Sequence, residues 1–361
     1  MTGLRACVVA SAVCCALGAS ARADAFGVYG GSFRAFATPP KGGGSFGVAG
    51  AALPDGRLVM VTGNSVFLES APGSAQFAEV ARLDASQTGG STDPSFLSVS
   101  PDGSRLAVGA GFGKPVAVFA TGTLGTPDDP TDLTAGSVAD YFTVGHYDAA
   151  WYDNRRLAIT AGDFGSPAFV SLLDTASDPD SPVNDLVITG IAGASAGVAF
   201  DSAGRLYTSN GYADGSGSGT GNIRVFGLAE WMAGADFETA GLLVGDVLSG
   251  SSMRFDRDGN LLVGGGDFGV FDAGYLGVIH ADAIGGVLAG LGPIDTGDPS
   301  DLKRLDPRGD GFGYFGSAYN PLTGELYVTD GETWYATIPT PASVGLLAVA
   351  GVCVARRRRH A

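Results

Sequence analysis

One arrangement of apolar and polar positions recurs along the chain: a short apolar strand, a tight turn with Asp, Asn or Gly, a strand opening on leucine, a Gly or Asp corner, and a third apolar strand. The turns begin at Asp55, Asp102, Asp153, Asp201, Asp256 and Asn320, and the leucines that follow them are Leu58, Leu106, Leu157, Leu206, Leu261 and Leu326. The leucine spacings of 48, 51, 49, 55 and 65 residues mark six like units. Asp or Asn beside Gly tolerates positive φ and matches the twist of a tight antiparallel hairpin. The flanking runs at 96–100 and 106–109 are small and β-branched, as strands crowded near an axis must be. A lone three- or four-stranded sheet cannot bury both of its faces, whereas six such sheets packed around a ring can. The pattern therefore predicts an all-β, six-bladed β-propeller.

Fourth strands are legible at 141–144 in the second unit, 186–188 in the third and 242–244 in the fourth. In the sixth unit the third strand, 334–338, leads straight into a chain end, and the segment 26–36 precedes the first unit with no unit of its own. The N-terminal segment is therefore expected to close the ring as the outer strand of the last blade. Acidic, Pro-rich stretches at 126–130, 178–182 and 295–310 read as surface loops, and 215–221 as a flexible corner. Single helical turns are expected at 230–233 and 281–284.

The two ends follow another logic. A single positive charge, an apolar stretch over about 6–17 and the small residues of Ala21-Arg22-Ala23 form a secretory signal peptide, cleaved after Ala23 or alternatively after Ala21. At the other end Pro339-Thr340-Pro341 precedes an uncharged run at 344–355, which stops at Arg356, Arg357, Arg358 and Arg359. An apolar segment followed by a basic block is a stop-transfer pattern. The 18 residues from Ile338 to the arginines give about 27 Å of helix, just enough for a ~30 Å hydrocarbon core. A buried last helix is the competing reading, although it leaves four terminal arginines idle.

This tail resembles the PEP-CTERM sorting signal of exported bacterial proteins, with Thr340 where that family commonly has glutamate between the prolines. The resemblance implies export and transient membrane insertion through the tail. It also implies processing by signal peptidase and an exosortase-type enzyme, and transfer to the cell envelope or extracellular matrix. The expected organisation is a signal peptide at 1–23, the propeller at 24–337 and the sorting segment at 338–361.

Composition agrees with this division. Of the four cysteines, Cys7, Cys14 and Cys15 lie in the leader and Cys353 in the tail, so the body offers no disulfide, thiol nucleophile or thiolate metal site. The formal charge is −16, and six of the 21 basic residues lie in the end segments, which leaves 15 against 37 acids in the body. Nucleic acid is excluded as a partner because it needs a basic footprint. With 45% hydrophobic residues the chain is also far from a disordered composition.

Candidate chemistry is sparse. The corners between second and third strands carry Asn64, Phe112, Asp163, Asn210, Asp267 and Asp330. In a propeller these corners open toward one axial mouth, where Asp163, Asn210, Asp267 and Asp330 offer the hard oxygen donors that Ca²⁺ takes. Asp and Asn also suit such corners simply through local side-chain hydrogen bonds. Asn64, His146 and Trp151 are the candidates for binding an extracellular ligand, a polysaccharide or a protein. No Gly-x-Ser-x-Gly, His-Glu-x-x-His or phosphate loop is present.

At the level of fold the body resembles six-bladed propellers of exported and periplasmic binding proteins and of lactonases. The reading that follows is an exported, envelope-associated binding or structural surface module, more a recognition protein than an enzyme. A metal-dependent hydrolase or lactonase using the acidic axial site is the alternative. A redox-cofactor propeller is disfavoured by the shortage of cationic and histidine ligands.

Overall fold

The structure is a computed structural model that describes residues 32–38, 47–90, 93–139, 144–162, 167–176, 183–211, 220–265, 275–309 and 313–338. The expected leader, the expected sorting segment with Pro339, Thr340, Pro341 and the four arginines, and Asp163 and Asp267, which the sequence places at corners, lie outside them. Residues 35–336 form one compact unit. A second unit combines the chain ends, and within it the Ile338 amide donates to the Ser32 carbonyl at 2.9 Å.

The described residues form six sheets. Blade 1 runs outward from the axis as β2 (Gly50–Ala52), β3 (Leu58–Thr62), β4 (Ser65–Glu69) and β5 (Phe77–Leu83). Blade 2 contains β6 (Phe96–Val99), β7 (Arg105–Gly109), β8 (Val116–Ala120) and β10 (Ser137–Ala139), and the intervening β9 (Thr131–Leu133) pairs in parallel with β5. Blade 3 contains β11 (His146–Trp151), β12 (Arg156–Ala161), β13 (Ala168–Asp174) and β14 (Val183–Ile191). Blade 4 follows with β15 (Ala194–Phe200), β16 (Leu206–Gly211), β17 (Thr220–Phe226) and β19 (Leu242–Leu248), while β18 (Ala235–Asp236) joins β14 in parallel. Blade 5 has β20 (Ser252–Phe255), β21 (Leu261–Gly265), β22 (Tyr275–Ile279) and β23 (Leu302–Leu305). Blade 6 has β24 (Gly316–Tyr319), β25 (Leu326–Thr329) and β26 (Trp334–Thr337), with β1 (Phe33–Ala37) as its outer strand. The N-terminal strand thus completes the last blade, as the sequence predicts.

Six inner strands meet in the cyclic order β2, β6, β11, β15, β20, β24 and back to β2. The second strand of each blade is buried on both faces, which is why these strands read as apolar runs rather than alternating ones. In β7, Leu106 and Val108 pack toward blade 1 while Ala107 packs toward blade 3. In β12, Leu157 and Ile159 face blade 2 and Ala158 faces blade 4. At the seam between blades 6 and 1, Trp334, Tyr327 and Phe36 close over Leu58 and Met60.

The inner hairpins share one device. In all six, the Asp or Asn oxygen accepts the amide two residues on, at 2.8–3.0 Å: Asp55, Asp102, Asp153, Asp201, Asp256 and Asn320. Glycines at positive φ follow in five of them, for example Gly103 at 71°. Neighbouring turns are also joined directly. The Asp102 amide donates to Asn154 Oδ1 at 3.0 Å, and Asn320 Nδ2 donates to the Gly56 carbonyl at 2.7 Å across the 6–1 seam.

Four expectations change in detail. The outer strand of blade 2 is Ser137–Ala139, upstream of the predicted 141–144, of which 141–143 lie outside the described residues. The acidic stretch 295–310 holds the outer strand of blade 5, Leu302–Leu305. The turn at 230–233 belongs to α1 (Leu228–Met232), and α2 (Phe237–Ala240) follows it. The turn at 281–284 extends to eight residues as α3 (Ala281–Leu288). No helix among the described residues is long and apolar enough to cross a membrane.

Candidate functional site

The inner strands leave a cavity at each end of the axis, and all six blades contribute to both. The first, about 330 Å³, lies where the inner strands begin and is lined by Asp93, Ser95, Phe112, His146, Tyr147 and Phe315 among others. The second, about 320 Å³, lies where they end and includes Ser98, Trp151, Arg254 and Tyr319.

Between these two levels Asp148 projects from β11, buried to 2% exposure. Its Oδ1 accepts the Ala149 amide at 2.9 Å and Arg254 Nη2 at 2.8 Å. Its Oδ2 accepts the amides of Val198 at 3.1 Å and Met253 at 3.2 Å, and Arg254 Nη1 at 2.9 Å. One carboxylate therefore ties the inner strands of blades 3, 4 and 5 together and pairs bidentately with the guanidinium of the last. A charge this deeply buried is tolerated because its lone pairs are satisfied.

His146, the first residue of β11, is 1% exposed. Its Nε2 lies 3.1 Å from the Lys114 carbonyl, which can only accept, so Nε2 carries the proton and Nδ1 is left as an acceptor. Ser95 Oγ, at 2.7 Å, donates to that Nδ1. Burial pushes the imidazole down from its ordinary value to about 4, against the smaller upward pull of the Lys114 carbonyl. Phe96 lies edge-on to the ring at 5.5 Å between centroids. The result is a neutral imidazole behind a half-buried serine hydroxyl at the wall of the first cavity. Phe112, 70% exposed, stands at the rim of that cavity.

The sequence-derived candidates separate. His146 belongs to the first cavity, but Trp151, five residues along the same strand, edges the second, with most of its indole between blades 2 and 3. Asn64 and Asp330 stand at corners, Asn210 lies within β16 rather than at the predicted corner, and none of the three lines either cavity. Asn64 Oδ1 accepts from Thr88 Oγ1 at 3.0 Å. Asn210 donates to the Ala192 carbonyl at 3.0 Å and accepts the Asn222 amide at 2.8 Å. Asp330 accepts the amides of Glu332 and Thr333, both at 2.8 Å, and pairs with Arg308 Nη1 at 3.0 Å. Each of these oxygens is engaged in local bonding. Among the described residues no group of three or more His, Cys, Asp or Glu side chains converges as a metal ion would need.

Sequence reasoning missed Ser95, Asp148 and Arg254. The signal for the last two was present: across the six inner strands, otherwise built from small, apolar and neutral polar residues, they are the two charges, and they are opposite in sign.

No known family's profile matches the chain, and no curated protein does. Solved structures do match. A calcium-binding protein, regucalcin, from Agrobacterium tumefaciens is similar over 85% of this chain and 94% of its own, at 12% identity and a TM-score of 0.53. A luciferin-regenerating enzyme is similar over 82% and 92%, at 12% identity and a TM-score of 0.50. Likeness at this identity is a likeness of fold, and the chain is a six-bladed β-propeller.

Proposed function

We propose that the chain is an exported, envelope-associated propeller that recognises a small, partly apolar ligand in the first axial cavity. The observation that carries this reading is the cavity itself. About 330 Å³ at a ring axis, walled by Phe112, Tyr147 and Phe315 with a few polar groups such as Ser95 and Asp93, has the size and make-up of a small-molecule site. The Asp148–Arg254 pair, next along the inner strands, ties those of blades 3, 4 and 5 together. The export part of the reading is supported by the leader and the Pro339-Thr340-Pro341 tail with its arginines.

A thermal-shift screen of mono- and disaccharides, aromatic acids and short esters tests the binding claim. Ligands of this site should raise the melting temperature and bind at least about tenfold more weakly to Phe112→Ala, which removes the rim aromatic. A screen in which no compound stabilises the protein, or in which Phe112→Ala leaves every hit unchanged, rejects the site. Localisation of the protein with and without residues 338–361 tests the address: equal release of both forms rejects a sorting tail.

Ca²⁺-dependent hydrolysis is the second reading, favoured by one observation, the fold-level likeness to a protein described as calcium-binding. It rests on Asp163 and Asp267, because the described corner residues are engaged locally. Calorimetry with Ca²⁺ on the natural chain and on Asp163→Ala with Asp267→Ala separates the readings. Binding abolished by the pair of changes supports the metal, and no heat at millimolar Ca²⁺ removes it.

A further inference from the structure

We infer that Ser95 and His146 form a nucleophile–base dyad that hydrolyses small activated esters in the first axial cavity, an activity that rests on that cavity being the ligand site.

The geometry has three parts. First, the serine proton has a defined destination: Nδ1 lies 2.7 Å from Ser95 Oγ, whereas the other acceptor, the Gly109 carbonyl, lies at 3.5 Å. Second, the imidazole is held in the tautomer the reaction needs. The Lys114 carbonyl on Nε2 does here what a carboxylate does in a Ser-His-Asp arrangement, fixing the ring and making Nδ1 the acceptor for Ser95. Third, both residues line the cavity, Ser95 half-buried and His146 only 1% exposed, so to an acyl group placed among Phe112, Tyr147 and Phe315 the serine is the more accessible of the two.

The chemistry balances with water as the second reactant. Ser95 Oγ forms a bond to the acyl carbon as its proton moves to Nδ1. The bond from that carbon to the leaving oxygen then breaks, and the leaving oxygen takes the proton from Nδ1, which releases an alcohol and leaves an acyl-serine. Water attacks the same carbon, its proton passes to Nδ1, and Ser95 Oγ departs with that proton, which releases the acid. An imidazole titrating near 4 is a weak base, and general-base efficiency follows basicity. The substrates must therefore carry a stabilised leaving oxygen, as aryl and enol esters do. Amides and simple alkyl esters are outside its reach. The cavity volume limits the acyl part to a short chain or a single ring.

The test uses the full chain with p-nitrophenyl acetate, p-nitrophenyl butyrate and a fluorophosphonate, read by stopped-flow absorbance and by peptide mass mapping. The expected result is a burst of about one p-nitrophenolate per chain with the adduct on Ser95. Ser95→Ala should abolish burst and adduct, and His146→Gln should slow acylation by about 100-fold or more. Ser95→Ala is small and conservative, so it keeps the test decisive if the buried His146→Gln fails to fold. Adducts mapping to other side chains, or a burst that survives Ser95→Ala, overturn the dyad. The thermal-shift screen keeps the two claims apart: ligands that bind the cavity while no ester acylates Ser95 refute the chemistry and leave recognition standing, whereas absence of any binder refutes both.

Discussion

At the scale of single residues, the two buried groups on β11 carry opposite lessons. Asp148 is ionic and saturated with donors, so Asp148→Ala leaves Arg254 without its partner and the Val198 and Met253 amides without an acceptor. Breaking a buried pair in this way costs about 3–5 kcal/mol, measurable as a lower midpoint in urea. Combining it with Arg254→Met should restore a good part of the loss, because the uncompensated charge goes too. A double variant no better than the single one would mean that the amides, not the pair, dominate.

His146 is neutral instead. Its folded-state value near 4 lies below the ordinary 6.5, so between those values the unfolded chain binds a proton that the folded one does not. Stability from this group is therefore fully present above about pH 6.5 and is lost as pH falls toward 4, by roughly 3 kcal/mol. Asp93 shares its cavity, and the Lys114 backbone faces it from the neighbouring blade; both are present in either protein when the natural chain is compared with His146→Gln. The natural chain should lose more stability over that window, and parallel pH curves would refute the assignment. The sequence singled out His146 as a candidate for ligand binding, yet could not show Ser95 beside it, because the contact joins residues 51 apart on two blades.

At the scale of elements, legibility followed burial. Second strands were readable because both faces are covered, so their sequences are largely apolar; inner strands were readable as short runs of small and apolar residues ahead of each turn, and the turns because each needs an Asx oxygen and a tolerant backbone. Outer strands have one face in solvent. Leu302–Leu305 carries Lys303 and Arg304 between its leucines and passes for a loop, and Ser137–Ala139 is only three residues long. The strand with the clearest consequence is β1, whose Phe36 packs on Tyr327 at 4.9 Å and Phe77 at 6.2 Å between centroids. Phe36→Ala removes a buried ring from the 6–1 seam and should cost about 3–5 kcal/mol. A chain lacking residues 24–40 should show faster hydrogen exchange in β26, whose outer neighbour it has lost. Unchanged protection there would mean that β1 adds no stability to the blade it completes.

At the scale of the whole molecule, a ring has no end blade, so every sheet face depends on the seam where the chain closes on itself. That seam is tight. A Cβ on Gly50 would lie 2.5 Å from the Trp334 ring, and the Trp334 indole donates to the Gly47 carbonyl at 2.9 Å. Gly50→Val therefore forces the indole outward, and the strain of overpacking a core site costs about 1–3 kcal/mol. Because Leu58, Met60, Tyr327 and Phe36 share that cluster, displacement of one ring loosens the contact between the first and last blades rather than one local site. If the ring folds as a unit, the loss should appear as one transition shifted to lower denaturant, with tryptophan fluorescence and far-ultraviolet circular dichroism coincident. A first transition confined to fluorescence, followed by a second at the original midpoint, would show that blades 2 to 5 hold together without closure. In that case the axial cavities, which need all six inner strands, would be lost before the fold is.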